Sequence, residues 1–297
     1  MSNYISMDIG GTFIKYGLMN NEFCEENPLV LPTEKNPERF LNQLIQIINE
    51  RKAEADGVAI SIGGFINPVT GHNSDYSVGN NFKAYNLKEE LVKHTGLRVA
   101  IENDSNCAAL AEMQLGAGRN CSDFCMVTLG TGIGGAIIHN RQLLRGRNFK
   151  AGEFGFTIIG REGHNRAYDY KAASATAVLA KRVSDLLGQS VDGNYVFDHL
   201  EDMRVKEIYE EWLEDLAMVI GNIAVSFDPE KVIIGGGIST RESFITDLQS
   251  RVYHIFKHLK EYVTIEACRL GNNAGKIGAL INFMEQYENS GKERCSK

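Results

Sequence analysis

The chain has 297 residues, of which 43% are hydrophobic and 23% charged, and its formal net charge is -7. This is the composition of a globular protein with room for one large domain or two ordinary ones, and its acidity gives a nucleic-acid partner no general attraction. No apolar run is long enough to cross a bilayer, residues 1–8 lack a basic and apolar leader, and Cys24, Cys107, Cys121, Cys125, Cys268 and Cys295 are scattered, so reduced thiols and a cytoplasmic location are expected, with no membrane and no nucleic acid as partners.

In chain order, residues 4–8 read as a short strand, Gly10, Gly11 and Thr12 as a tight turn, and residues 13–19 as a returning strand. Pro37 opens an amphipathic helix with Phe40, Leu41, Leu44, Ile45 and Ile48 on one face. Residues 57–62 form a buried strand, residues 86–94 a helix capped by Asn86, and residues 97–102 another strand. Asp104 then begins a helix rich in alanine and leucine. The plan restarts with a strand at 124–129, a glycine-rich turn at 130–135 and a strand at 136–139. Met7 and Thr128 occupy equivalent places 121 residues apart, so two copies of one supersecondary plan are expected. Helices follow near 172–187 and 206–226, the second with Trp212, Leu216, Val219, Ile220 and Ile223 on one side. Residues 231–234 form a buried strand ending in three glycines, a helix runs from Ser239 to about Leu259, and a last helix spans residues 275–287.

Five motifs carry candidate chemistry. Asp8, Ile9, Gly10, Gly11 and Thr12 place a carboxylate before a bare turn, which suits a phosphate with Mg2+ and equally suits a plain Gly-Gly hairpin. Gly130, Thr131, Gly132, Ile133, Gly134 and Gly135 leave a bare backbone and one hydroxyl for a polyphosphate. A strand follows them, which argues against a dinucleotide fingerprint, and no Gly-Lys-Ser/Thr ending makes a P-loop. Glu102, Asn103 and Asp104 join a strand to a helix N-terminus, where Asp104 reads either as a helix cap or as a general base for a hydroxyl. Glu153 lies between Gly152 and Gly155 in a turn that accepts sugar hydroxyls or faces solvent. Gly235, Gly236 and Gly237 follow an apolar strand and leave room for a flat ligand, though a simple strand-to-helix turn explains them too.

Together and in this order the motifs resemble the ROK (repressor, open reading frame, kinase) family of sugar kinases, over residues 8–278. The resemblance implies an α/β, two-lobed actin-like ATPase (ribonuclease H-like) fold with a ligand cleft between lobes. Residues 1–115 with the helix 276–297 would form the phosphate- and sugar-binding lobe, and residues 116–275 the larger nucleotide-binding lobe. It implies an ATP-dependent carbohydrate kinase that uses ATP and Mg2+. Asp104 would take the proton from a sugar 6-hydroxyl. Asn103 and Glu153 would bond the sugar ring, with Gly64 beside it. Asp8, Gly10, Gly11, Thr12 and Lys15, with Gly130, Thr131, Gly132 and Gly134, would hold the phosphates, and Asp8 would hold Mg2+ directly or through water. Gly235, Gly236, Gly237 and Asn273 would border the nucleotide. A homodimer is expected by the same likeness.

Two departures bear on substrate. The family's usual His is Phe156 here, and Tyr170 stands where the family has a sugar-binding Glu. Residues 160–174 contain no cysteine, so no zinc is expected. Two aromatics in place of polar partners suit a group attached at the anomeric carbon better than a free hydroxyl. The expected activity is that of a β-glucoside kinase acting on O6 of the non-reducing glucose of cellobiose-like sugars. Glucokinase and N-acetylmannosamine kinase are the alternatives. A sugar-responsive repressor of the same family would carry a helix-turn-helix before the first loop, and only seven residues precede Asp8.

Overall fold

The computed structural model describes residues 2–74, 86–159 and 175–288. The chain divides into two compact units: Met1–Ala111 with Gly146–Lys150 and Asn272–Lys297, and Glu112–Arg145 with Ala151–Gly271.

In the first unit, strands β1 (Asn3–Ile9), β2 (Phe13–Asn20), β3 (Glu25–Pro32), β4 (Gly57–Ile62) and β5 (Arg98–Asn103) form a sheet in the order β3-β2-β1-β4-β5. β1 runs antiparallel to β2 and parallel to β4, which is parallel to β5. Alternation along the strands decides how its two faces are covered. One face carries Ile5, Met7, Ile9, Val58, Ile60, Ile62, Val99 and Ile101, all in one apolar cluster. That cluster takes in Phe40, Leu44 and Ile48 of α1 (Pro37–Arg51) and Leu87 and Leu91 of α2 (Leu87–Thr95).

The other face carries small or polar residues in matching register: Ser6, Ala59 and Ala100, then Asp8, Ser61 and Glu102. Short side chains let helices approach this face closely. The hydroxyl of Ser6 donates to the backbone carbonyl of Lys276, and Gly57 lies against the Phe283 ring. Both partners belong to a helix running over Ala274–Tyr287. The helix meets α3 (Asp104–Leu115) at Gly278, where a Cβ would come within 1.7 Å of the Cys107 carbonyl oxygen. Only glycine permits that crossing, so the seating of α3 depends on it.

The second unit repeats the sheet plan. Strands β6 (Phe124–Leu129), β7 (Ile133–His139), β8 (Gln142–Leu143), β9 (Lys231–Gly235) and β10 (Thr264–Ala267) run in the order β10-β9-β6-β7-β8. Again the first pairs are antiparallel and the outer pairs parallel. The helices are α4 (Thr176–Leu187), α5 (Gly193–Asp198), α6 (Met203–Phe227) and α7 (Glu242–Ile255), and the Ala274–Tyr287 helix of the first unit is α8. Trp212, Leu216, Val219, Ile220 and Ile223 of α6 enter the core, and the Trp212 indole donates to the Ala175 carbonyl at 3.2 Å. The expected α/β class and the duplicated sheet are both present.

Local expectations are corrected at several points. The glycine-rich turn shrinks to residues 130–132, because Ile133, Gly134 and Gly135 pair with β6. Ile47, not Ile45, completes the fully buried stripe of α1, since a 3.6-residue period carries Ile45 to the stripe's edge. Asn86 stands at the N-cap position of α2 as expected, but its side chain makes no capping bond, its amide donating to Glu89 instead. The helix expected from Ser239 to about Leu259 is broken into a 3-10 turn at Gly237–Thr240, α7, and a second 3-10 segment at Lys257–Glu261. Edge strands β3, β8 and β10 were not legible, β3 because it lies in the open and lacks an alternating apolar pattern.

Glu112, with no exposed surface, accepts N–H bonds from Ala117 at 2.6 Å and from Arg269 and Leu270 at 2.9 Å each. It ties the end of α3 to the segment that leads into residues 271–273. Glu112→Ala strands three donors and is expected to cost about 3 kcal/mol, read as a lower midpoint in chemical denaturation, while Glu112→Gln costs less. Equal midpoints for Ala and wild type would contradict this role.

Candidate active site

β1 delivers Asp8 to the start of the first loop. Asp8 Oδ1 accepts the Ser61 hydroxyl at 2.8 Å, and a Cβ on Gly275 would come within 2.6 Å of the same oxygen. The carboxylate is thus fixed by its sheet neighbour and by the N-terminus of α8. The loop itself is gripped from Thr33 and Lys35. Thr33 donates its hydroxyl to the Gly10 carbonyl at 2.8 Å and its N–H to the Thr12 carbonyl at 2.9 Å, and Lys35 donates to the Gly11 carbonyl. Lys15 sits beside Asp8 in strand register.

At the end of β5 the helix-cap role goes to Asn103. Its Oδ1 accepts the N–H of Asn106 at 3.0 Å, the bond an N-cap makes to the third helical residue. Asp104 follows as the first helical residue, and its Oδ1 takes the N–H of the adjacent Ser105 at 2.8 Å together with a long Ser105 hydroxyl contact. Asp104 is therefore not spent as the cap, and its carboxylate is solvent-accessible at the positive end of a helix.

The Asp104 carboxyl lies above the ordinary carboxylate range. Surrounding protein, which displaces water, is the main cause, and the charge of Asp8 adds to it, while the Ser105 bonds oppose both. Cys107, one turn on, is buried, and its thiol is pushed well above the usual range by burial and then by the charges of Glu102, Asp8 and Asp104, so it stays protonated.

Gly64 lies in the same unit with a φ of 109°, and a Cβ there would strike the Asn73 amide at 2.3 Å. The Asn103 amide nitrogen donates to the Gly64 carbonyl at 3.0 Å, which leaves its second amide N–H as a donor. Asp8, Gly64, Asn103 and Asp104 are thus brought together. Ser61 and Asn73 were missed by sequence reading, since a lone Ser in a buried strand and a lone Asn in a loop carry no signal without the sheet register.

In the second unit, Gly130 and Gly237 line a cavity of about 360 Å³ with Thr176, Ala177, Asp192 and Asn194. The Gly130 carbonyl accepts the N–H of Ala177 at 3.1 Å, which ties the loop to the start of α4. Gly11, Gly130 and Gly237 have nothing within 4 Å of a built Cβ, so packing does not demand glycine at these positions. A bare backbone with open space above it fits a polyphosphate or nucleotide. A larger hollow of about 740 Å³ around Lys181 and Asp185 contains none of the predicted motif residues. Thr176, Asp192 and Asn194 were not foreseen. They join the cavity only through the placement of α4 and α5.

Glu153 precedes and Phe156 ends a 3-10 turn (Phe154–Phe156) in the second unit, with Phe154 seated against Gly135. Asn273 stands at the N-terminus of α8 in the first unit, whereas Gly235, Gly236 and Gly237 belong to the second. Tyr170, and the zinc-motif region 160–174, lie outside the described residues. Among the described residues no group of three His, Cys, Asp or Glu is placed to hold a metal ion, and no helix is long and apolar enough to cross a membrane.

The ROK family model matches residues 4–286. The chain belongs to the ROK family. It is 34% identical over 298 residues to a beta-glucoside kinase of Listeria innocua, covering 95% of this chain and 97% of that one. It is 27% identical over 320 residues to a glucokinase of Halalkalibacterium halodurans, covering 97% and 96%. The crystal structure of a ROK family protein from Streptococcus pneumoniae in complex with sucrose superposes with a TM-score of 0.84 at 29% identity, covering 97% and 99%. The expectations of an actin-like ATPase fold and an ATP-dependent sugar kinase are borne out at that level.

Two outcomes follow for Asp104. Were Asp104 the base it would have to be ionised, so with its carboxyl raised the acid limb of kcat/KM would lie above the value of about 3.9 expected of an ordinary aspartate. A limb at or below that value would contradict the shift. Asp104→Asn should lose ~10²–10⁴-fold in turnover. The variant should melt no lower than wild type at neutral pH, because a carboxyl raised in the folded state opposes folding once ionised and ceases to do so as pH falls through its raised value.

Proposed function

We propose that the chain transfers the γ-phosphoryl group of ATP to the 6-hydroxyl of a glucose unit, with Asp104 as the base. The observation that carries this reading is the division of labour at the β5–α3 junction. Asn103 caps the helix, which leaves the Asp104 carboxylate available to accept a proton.

Asp104 accepts the hydroxyl proton as the new bond forms, a step that needs correct placement more than a strong base. The second amide N–H of Asn103 and the carboxylate of Glu153 orient the sugar hydroxyls. The backbone at Gly10, Gly11 and Thr12, with Lys15, and the backbone at Gly130, Thr131, Gly132 and Gly134 bind phosphate oxygens. Gly235, Gly236 and Gly237 border the adenosine, with Thr176 and Asn194 on the wall of the cavity that Gly237 lines. Asp8, its Oδ1 already oriented by Ser61, would hold Mg2+ directly or through water. The bound ion would neutralise charge on the transferring phosphoryl group.

We further propose a β-glucoside as substrate, most simply one with glucose at the non-reducing end, such as cellobiose. Phe156, half-buried where the family usually has His, offers an apolar surface to a group on the anomeric oxygen. Similarity to a beta-glucoside kinase supports the same direction. With MgATP in a coupled ADP-release assay, kcat/KM is expected to be higher for cellobiose, gentiobiose or salicin than for glucose. A higher value for glucose, or for N-acetylmannosamine, overturns the glucoside assignment and leaves the kinase assignment standing.

A further inference from the structure

We infer that Glu102 is a positioning residue for the phosphoryl-transfer step. It rests on the reading of Asp104 as the base, and it assigns the neighbouring buried carboxylate a task that no substrate contact requires. Glu102 has no exposed surface, so it does not meet solvent. Its Oε1 accepts the N–H of Asn103 at 2.8 Å and the side-chain amide of Asn106 at 2.9 Å. One oxygen therefore holds both ends of the turn that runs from Asn103 through Asp104 and Ser105 to Asn106.

The turn is closed from within as well. The N–H of Asn106 donates to Asn103 Oδ1 at 3.0 Å, and the Asn103 amide donates to the Gly64 carbonyl at 3.0 Å. A continuous chain of bonds links Glu102 to Asn106, Asn106 to Asn103, and Asn103 to Gly64. Asp104 is carried on this turn and has side-chain bonds only to Ser105, so its direction is set largely by the backbone beneath it.

The amide of Asn106 shows that Glu102 dictates this arrangement. Asn106 is buried, and among the described residues its Oδ1 has no hydrogen-bond partner. An unsatisfied buried acceptor costs free energy, and turning the amide over would place that oxygen against a carboxylate that can only accept. Asn106 keeps the unfavourable orientation because Glu102 requires a donor. Strand register supplies the reason for a long acid here. Asp8, Ser61 and Glu102 stand side by side on one face of the sheet, and the Glu102 side chain reaches from that row to Asn106 in the first turn of α3.

A purely structural role would lower stability and leave the chemistry of the folded enzyme intact, whereas a positioning role moves kcat and the sugar KM. Full-length Glu102→Ala, Glu102→Asp and Glu102→Gln are compared with wild type and Asp104→Asn, using glucose and cellobiose with MgATP, alongside calorimetric binding of a non-hydrolysable ATP analogue. Expected for Ala and Asp is a drop in kcat of tenfold or more with a raised sugar KM, while analogue affinity stays within twofold. Glu102→Gln, whose carbonyl can accept both bonds, should restore most of what Ala loses. If Ala does not fold, Asp carries the same test, since it withdraws the acceptor by one methylene. Turnover within twofold of wild type in Ala or Asp, a parallel loss of analogue binding, or a Gln variant as slow as Ala overturns the inference. Near-normal turnover in Asp104→Asn instead overturns the base assignment itself, whatever Glu102 does.

Discussion

The constraint on which the first unit depends is the placement of an accessible carboxylate at a helix N-terminus without its being consumed as the helix cap. An aspartate at such a point ordinarily turns back and satisfies the orphan N–H groups. Here Asn103 does that work one residue earlier, and Asp104 is displaced to the first helical position with a single backbone donor from Ser105. The helix still favours the ionised form, while displaced water and the nearby Asp8 oppose it. The effects that disfavour charge outweigh those that favour it, which keeps a surface-accessible carboxylate above its ordinary range.

Everything beneath that junction follows from which residues the sheet can accommodate on its two faces. Large aliphatic residues on one side bury α1 and α2. Small and polar ones on the other allow α3 and α8 to come within backbone distance, and Gly275 and Gly278 remove the last obstacles. In the polar row Asp8, Ser61 and Glu102, the last two are buried and Asp8 partly so, and each member has a bonding partner: Ser61 donates to Asp8, and Glu102 accepts from Asn103 and Asn106. A buried polar row with its bonds made is stiff, and stiffness is what a phosphoryl-transfer site needs from its scaffold.

The same sheet plan serves different ends in the two units. In the first, the strand after β4 leads to Glu102, Asn103 and Asp104. In the second, β6 and β9 end in glycines around a cavity, and the helices α4 and α5 supply its wall. Fold and site are therefore separable: a shared pattern of strands carries a carboxylate in one copy and a bare backbone in the other. Much of this was legible in the amino acids. The strands with long apolar runs, the amphipathic face of α6 and the glycine clusters all announce themselves locally, because each depends on short-range periodicity or on the absence of a side chain. The edge strands, the break in the helix after Ser239 and the cavity wall at Thr176 and Asn194 depend on neighbours distant in sequence, and no local pattern encodes them.

Asp104 illustrates the division most clearly. The sequence by itself determined that a carboxylate stands where a strand becomes a helix, that bare glycine loops flank it in chain order, and that residues 160–174 hold no cysteine. It left Asp104 equally readable as a cap or a base. Tertiary structure gives the cap to Asn103 and leaves the Asp104 carboxylate uncommitted to it, because hydrogen bonds between neighbours decide which side chain is taken. Asn103 fills the cap, Gly64 fixes Asn103, and Glu102 fixes the turn from below through a sheet register that only the folded chain brings into line.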